Sequence, residues 1–399
     1  MVSGVRVLVA GASIAGPALA HWLRRRGAEV TVVERAPGLR PGGQAVDARG
    51  VAKEVIRRMG LDAAVRAACT DTAGAHTLDV DGNVLETYRA DDHGGDGFIA
   101  EIEILRGDLS QVLHDDTRDG VEYLFGDRIA ELTQDADGVD VTFASGDRRR
   151  FDLVVGADGL HSALRAMVFG PREGFIRHLG LVLAFYSVPN EFGLDRWFVE
   201  YQEQESGRSA GLRPIQDATQ AMAMFSFPAA DFDVDYRDIE GQKRLLREQM
   251  AGLGWWTPRI LAHLDDTPDF YLDQVAQVVM DRWSNGRVGL IGDAAFSSSP
   301  MSGGGTGLAL VGAYLLAGEL AAAGWDPEAG FAGYEARMRS FVEANQEIGR
   351  LHVHSRGVAQ PDAEPSPEPD MEALTALVER AINGVALPDY AGVPDSGAS

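Results

Sequence analysis

Apolar and polar positions change rhythm several times along the chain, and each change predicts an element. Val5, Val7, Leu8 and Val9 form a short apolar run, the texture of a strand buried on both faces. Helical spacing follows and ends at Gly27, with Pro17 in the first turn, where its missing N–H costs nothing. A second strand, 29–33, closes on Glu34. Helical spacing resumes at Val51, Val55, Ile56, Met59 and Leu61. HTLDVDGNVLETY, with its Asp-Gly turn, predicts a hairpin within 72–98, and a polar, glycine-rich loop follows at 91–97. EIEILRGDLSQVLHDD reads as a strand entering a helix with Arg106 at the junction, and 121–155 as alternating short strands.

From about 172 to 281 the character shifts. Aromatic and Met residues alternate with polar ones in LVLAFYSV, RWFVEY and QAMAMFSF, which predicts an antiparallel sheet with one face exposed. Residues 240–264 read as helical. YLDQVAQVVM and NGRVGLIGDAAF return to buried-strand texture. Helices are expected at about 306–323 and 331–356, a Pro/Glu-rich linker at 359–370, and a last helix at about 371–383. There is no internal repeat. The order is that of an α/β dinucleotide half-fold, an inserted β-layer, and a late return to a glycine-rich loop.

Composition narrows the partners. The 399 residues leave room for two or three domains and a sizeable core. A net charge of −24 argues against nucleic acid or an anionic membrane surface. The two Arg triplets, 24–26 and 148–150, are flanked by acids and read as solvated faces. A lone cysteine, Cys69, allows no intramolecular disulfide and suggests a reducing, cytoplasmic setting. No apolar run is read as long enough to span a bilayer. A secretory leader is rejected, because Arg24 to Arg26 lie on the wrong side and the pattern continues into a strand.

Three segments carry nucleotide chemistry. Gly11, Ser13 and Gly16 take the three positions of a G-x-G-x-x-G loop, with Ser13 replacing the middle glycine. The first permits a sharp turn, the second lets backbone approach a pyrophosphate, and Gly16 lets helix and strand pack closely. Glu34 ends the next strand, placed to accept hydrogen bonds from a ribose. The second segment is GADGLHSALR, where Gly156 and Gly159 bring backbone close to a ligand. There Asp158 stands at a strand end, and Ser162 and Arg165 are read as sharing a helix face. The third, GDAAFSSSPMSGGGTG, puts three glycines at a helix start. That leaves N–H groups aimed at an acceptor, backed by about half a unit of positive charge. No Ser–His–Asp set or metal cluster is found; the nine His are scattered, and His352 and His354 do not share a face.

These motifs, in this order and with these separations, resemble the class A FAD-dependent aromatic monooxygenases. This is the p-hydroxybenzoate hydroxylase family, in its tetracycline-modifying and aromatic-polyketide hydroxylase branch. The similarity runs over residues 4–350. It implies an α/β fold: a Rossmann-like FAD-binding domain of the GR2 type, an inserted mixed or antiparallel β-sheet substrate domain, and C-terminal helices. The FAD domain would comprise 1–71, 99–171 and 282–356, the substrate domain 72–98 and 172–281, and the linker with its helix 357–399.

The resemblance also assigns roles. Gly11, Ser13, Ile14, Ala15 and Gly16 would face the FAD pyrophosphate, Glu34 the ribose, and Arg35 the adenine. Arg106 would contact FAD near the ribityl chain, Asp293 would bond that chain, and Pro300, Gly303, Gly304, Gly305 and Thr306 would cradle the flavin. Asp158 belongs to a motif tied to FAD and NADPH use, and Arg40, Gln44 and Asp47 would border the nicotinamide approach. Candidate substrate walls are Phe185, Phe198, Arg213, Met222, Met224 and Phe225, the last three, a typical sheet face, reading first as core.

The implied reaction has NADPH (or NADH) reduce FAD, whose C4a-hydroperoxide, formed with O2, hydroxylates an aromatic or polycyclic small molecule without a metal or a dedicated catalytic side chain. Baeyer–Villiger oxidation, dehydrogenation, and a non-catalytic FAD-binding protein are the alternatives, and monomer and homodimer stay open. Two departures stand out. Phe296 replaces a frequent His, and GGGTG stands where an Asn is frequent. Gly254 to Pro258 superficially resembles the tryptophan motif of flavin halogenases but reads as helix-end packing.

Overall fold

A computed structural model describes residues 4–97, 99–229, 238–358 and 370–390. Its centre is a six-stranded sheet in the order Ser284–Asn285, Val288–Leu290, Leu153–Gly156, Arg6–Ala10, Glu29–Glu34, Glu122–Phe125. Every neighbouring pair but the first is parallel. Val7, Leu8, Val9 and Leu153 to Val155 are fully buried, as a parallel sheet covered on both faces requires. Register sets the function: Val9 pairs with Val155, and Val155 with Gly289. Three strands from distant parts of the chain therefore end side by side, and the crevice beyond such ends is where doubly wound sheets bind ligands.

Helices Ala15–Arg25 and Gly305–Ala322 pack on each other against this sheet. The second is apolar all round because it lies inside the protein. This corrects the reading that no stretch is long and apolar enough to cross a membrane: Gly305–Ala322 meets that test by length and composition, and 78% of it is buried in the protein interior.

The other large layer is a seven-stranded sheet in the order Tyr271–Val278, Ile176–Pro189, Gln220–Pro228, Arg208–Pro214, Trp197–Glu203, Gly74–Leu78, Val84–Arg89. Its pairings are antiparallel except one: the early hairpin joins through a parallel pairing of Gly74–Leu78 with Trp197–Glu203. One face carries Tyr186, Leu212, Ala223, Phe225 and Phe227, roofed by helix Ile239–Gln249 through Leu246 and by Ile260. The expected exposed face is not found on the central strands. In Gln220–Pro228, Met222 and Ser226 on the second face are also buried, and Ser226 meets Ser209 rather than water. A smaller antiparallel sheet joins Ile129–Gln134, Val139–Phe143 and Arg148–Phe151.

The helix expected over 240–264 is broken. Ile239–Gln249 and Thr257–Leu261 are separate, because Gly252 and Trp255 between them adopt positive φ. Trp255 stacks on Trp256, which packs on Phe192, so this aromatic pair is core filling. The last helix is Met371–Asn383, while the Pro/Glu-rich linker lies almost wholly outside the described residues.

Candidate functional site

Glycine geometry shapes the mouth of the crevice. Gly11 sits at φ +113°, and a Cβ there would lie 2.4 Å from the Ala157 carbonyl oxygen. Gly11 N–H bonds the Val33 carbonyl at 2.8 Å, and Ala157 N–H the Ala10 carbonyl at 2.7 Å, which stitches three strand ends together. Gly16 lies beneath, where a Cβ would come 1.9 Å from the Gly11 oxygen. Ser13 is the exception, and its hydroxyl accepts a hydrogen bond from Arg106 Nε at 3.1 Å. Arg106 opens helix Arg106–Thr117, and its own N–H bonds the Gln44 carbonyl.

Carboxylates and cations are distributed around this frame. Glu34 accepts from the N–H groups of Ala12 (3.0 Å) and Ala36 (2.9 Å), one bond per oxygen, which leaves lone pairs for hydroxyl donors. Burial, then the charge of Arg106, with Arg35 also near, lowers the Arg40 pKa. A dianion entering among these three cations would relieve their crowding. Asp158 Oδ2 accepts from Ala163 and Leu164 N–H at 2.8 and 3.1 Å, holding the start of helix Ala163–Phe169. Its Oδ1 is buried with no partner among the described residues, and burial pushes the carboxyl up. Ser162 and Arg165 do not act as one face. Ser162 caps the helix, whereas Arg165 turns inward and donates to the Ala294 and Leu160 carbonyls at 2.8 and 2.7 Å.

At the third segment, Gly303 (φ +65°) presents its carbonyl to Arg49 Nη1 at 3.1 Å. Gly304 packs against Asn345, whose Oδ1 would lie 1.7 Å from a Cβ. Helix Gly305–Ala322 then begins, and among the described residues no acceptor takes the N–H groups of Gly305, Thr306 or Gly307. An electron-rich ring edge fits there. Phe296 points away from all this, into the core against Trp283 at 4.6 Å, so its replacing a His leaves the cleft lining untouched.

Of the residues expected to hold the cofactor, all but Gly16 and Gly304 line one cleft of about 820 Å³; those two shape it from behind. Asp293 is exposed to the open cleft, while the dense protein packed around its base pushes its carboxyl up, against the pull of Arg106 and a Ser297 hydrogen bond. For a carboxyl raised in the folded state, the stability cost is absent below the unfolded pKa, grows as pH rises, and is complete above the folded pKa. Asp293→Asn should therefore stabilise the FAD-free protein more at pH 8 than at pH 4. It should also weaken FAD binding by about tenfold through loss of a charged acceptor. Thermal unfolding at the two pH values and FAD titration read both effects; equal stability shifts at both would refute the first.

The substrate-wall candidates divide by parity. Phe185 pairs with Met224 and Arg213 with Met222, which places these four on one sheet face, and Phe198 joins them beneath the Arg213 guanidinium at 4.7 Å. Phe225 is corrected: it lies on the opposite face, stacked on Tyr186 at 5.8 Å, because neighbouring strand residues point opposite ways. None of the six borders the cleft itself. Between cleft and sheet stand two charged residues that sequence reading missed, Arg49 and Glu103, each paired with a residue it had named. Asp47 pairs with Arg49 at 3.0 Å, and Glu103, opposite Asp47 in the ribbon Ala45–Ala48/Ile102–Leu105, binds Arg213. Ser299, at φ +76° beside Pro300, also escaped notice. Glu103 and Arg213 lie 110 residues apart, too far for any spacing signal.

A parallel doubly wound sheet, a backbone-lined cleft and a facing β-layer are the architecture of a flavoprotein. The chain belongs to the family described as FAD binding domain, which residues 4–347 match, and within it to the flavin-dependent monooxygenases. It is 36% identical over 397 residues to a flavin-dependent monooxygenase of Legionella longbeachae serogroup 1 (strain NSW150), covering 98% of this chain and 99% of that one. An uncharacterised protein of Mycobacterium tuberculosis (strain ATCC 25618 / H37Rv) is 45% identical over 387 residues, covering 96% and 99%. The crystal structure of the tetracycline destructase Tet(55) superposes with a TM-score of 0.84 at 37% identity, covering 98% of this chain and 100% of that one. FAD is the cofactor, NAD(P)H the reductant typical of the family, and the substrate a small molecule.

Proposed function

We propose that this enzyme hydroxylates a polycyclic, phenol- or enol-bearing aromatic of the tetracycline type at the sheet face carrying Phe185, Phe198, Arg213, Met222 and Met224. The observation that carries this is the single cleft shared by three sequence-distant motifs, next to a layer similar to that of the tetracycline destructases. Residues 1–71, 99–171 and 282–356 form the FAD domain in this reading, and 72–98 with 172–281 the substrate domain.

Bound FAD supplies reduction by NAD(P)H and activation of O2. The chain's own residues do the rest. The loop from Gly11 to Gly16 approaches the pyrophosphate with Arg106 and Arg40 offsetting its charge, Glu34 accepts from the ribose, and Asp293 from the ribityl hydroxyls. The N–H groups of Gly305 and Thr306 stabilise negative charge at the flavin edge. The buried sheet keeps water from the reacting centre. The lone Cys69 supports a cytoplasmic setting.

The test is anaerobic reduction of the holoenzyme by NADPH or NADH, followed by turnover of tetracycline under labelled dioxygen. One labelled oxygen in a hydroxylated product is expected. Label in a ring-expanded lactone would make it a Baeyer–Villiger enzyme instead. NADPH oxidation with no oxygenated product would overturn the reading.

A further inference from the structure

Glu103 is an unusual acid for its position. Only 3% exposed, it carries a charge into the interior between the nucleotide cleft and the substrate sheet. Its Oε1 accepts from the hydroxyls of both Thr70 and Thr72 at 2.6 Å, and those hydroxyls are 3.0 Å apart. Oε2 takes Nη1 of Arg213. Burial alone would push the carboxyl up, but Arg213 and the two threonines outweigh it and hold the group ionised. Such a carboxylate has its geometry fixed from three sides.

Arg213 is what it fixes. The guanidinium rests over the Phe198 ring, and Asp47, across the ribbon from Glu103, adds a second negative charge that helps keep it protonated. Asp47 borders the nucleotide cleft, whereas Glu103, Thr70 and Thr72 border a second cavity of about 1090 Å³ at the end of the seven-stranded sheet. Arg213 itself lines neither hollow; of the two carboxylates that act on it, Glu103 pairs with it directly and Asp47 acts through its charge. Only one nitrogen engages Glu103, and Nε is buried with no acceptor among the described residues. A buried guanidinium N–H without an acceptor is costly unless something else supplies one.

We propose that Glu103, clamped by Thr70 and Thr72, is a positioning residue that holds Arg213 so that the Nη end of its guanidinium, where Glu103 takes only one nitrogen, meets an anionic or strongly polarised oxygen of the substrate, a phenolate, enolate or carbonyl. This rests on the reading that the Arg213 face receives substrate. Glu103 itself touches no substrate. It acts by denying Arg213 the alternative of swinging fully onto Asp47, and so sets how the ring is presented to the flavin. Misplacement of a bound ring by about 1 Å is enough to lose orders of magnitude in rate.

The experiment compares Glu103→Gln, Glu103→Asp, Arg213→Gln and the Thr70→Val/Thr72→Val pair in the holoenzyme, with tetracycline as the probe substrate. FAD content serves as the folding check. Glu103→Gln should raise KM about tenfold, with a smaller fall in kcat and more peroxide released per NADPH consumed. Glu103→Asp should recover most of the loss. The threonine pair, which keeps the charge and loosens only its clamp, should move KM in the same direction by a few-fold, and it carries the test should Glu103→Gln fail to retain FAD. If Arg213→Gln raises KM while the Glu103 and threonine variants keep wild-type KM and coupling, the positioning role is wrong and the substrate face stands. If Arg213→Gln leaves KM unchanged, or wild-type enzyme ignores tetracycline, the underlying reading falls and takes this one with it.

Discussion

Gly16→Ala should purify almost free of FAD and be markedly less stable than the wild-type chain. The added methyl would sit 1.9 Å from the Gly11 carbonyl oxygen, and what it meets is backbone, with no side chain that could turn aside. Gly11 cannot retreat either. It is bonded to Val33, and its own Cα side faces the Ala157 carbonyl. Relief must move the helix Ala15–Arg25 away from the sheet, which separates the loop from the pyrophosphate. Overpacking of a tight interior costs about 1–3 kcal/mol, and a pyrophosphate displaced from its N–H donors loses more than the tenfold in affinity that 1.4 kcal/mol represents. Flavin absorbance relative to protein absorbance gives occupancy directly. Gly27→Ala is the control, because it has positive φ but nothing within 4 Å, so it costs about 1–2 kcal/mol of backbone strain and should leave occupancy intact. Full flavin occupancy in Gly16→Ala would show that the loop does not bind as argued.

Arg165→Met should cost about 3 kcal/mol or more in unfolding free energy, read from the urea midpoint. Arg165 is 1% exposed and spends two nitrogens on the carbonyls of Ala294 and Leu160, joining the GADG and GDAA segments across the sheet's end. Methionine fills part of the volume but leaves both carbonyls without those donors. Asp293 neighbours Ala294, so FAD affinity should fall with stability. Arg165→Lys should rescue poorly, since one ammonium lacks the forked geometry to serve two separated carbonyls. Unchanged stability in both variants would mean the two segments are held together by the strands alone.

The nucleotide frame was readable because backbone contact imposes fixed residue types at fixed intervals: Gly11, Gly16 and Glu34 have few substitutes. The break at 250–256 had a signal in Gly252 and Gly254 that the apolar spacing on either side overrode. Phe225 was separable from Met224 by alternation alone, since adjacent strand residues cannot share a face. Glu103 and Arg213 are different. They stand 110 positions apart, each an ordinary charged residue in its own neighbourhood, and only the folding of the ribbon against the sheet makes them partners. The inward turn of Arg165 was equally silent, because the carbonyl of Ala294 that it serves lies 129 residues downstream.

The parallel pairing of Trp197–Glu203 with Gly74–Leu78 has a consequence for engineering. The seven-stranded layer, proposed above to face substrate, is not a cassette. A chimera that imports a relative's 172–281 while keeping the native 72–98 must match the register across that seam, or it leaves a row of unanswered N–H and C=O groups open to other chains. Changing what this scaffold accepts by recombination means exchanging two separate stretches of gene in concert.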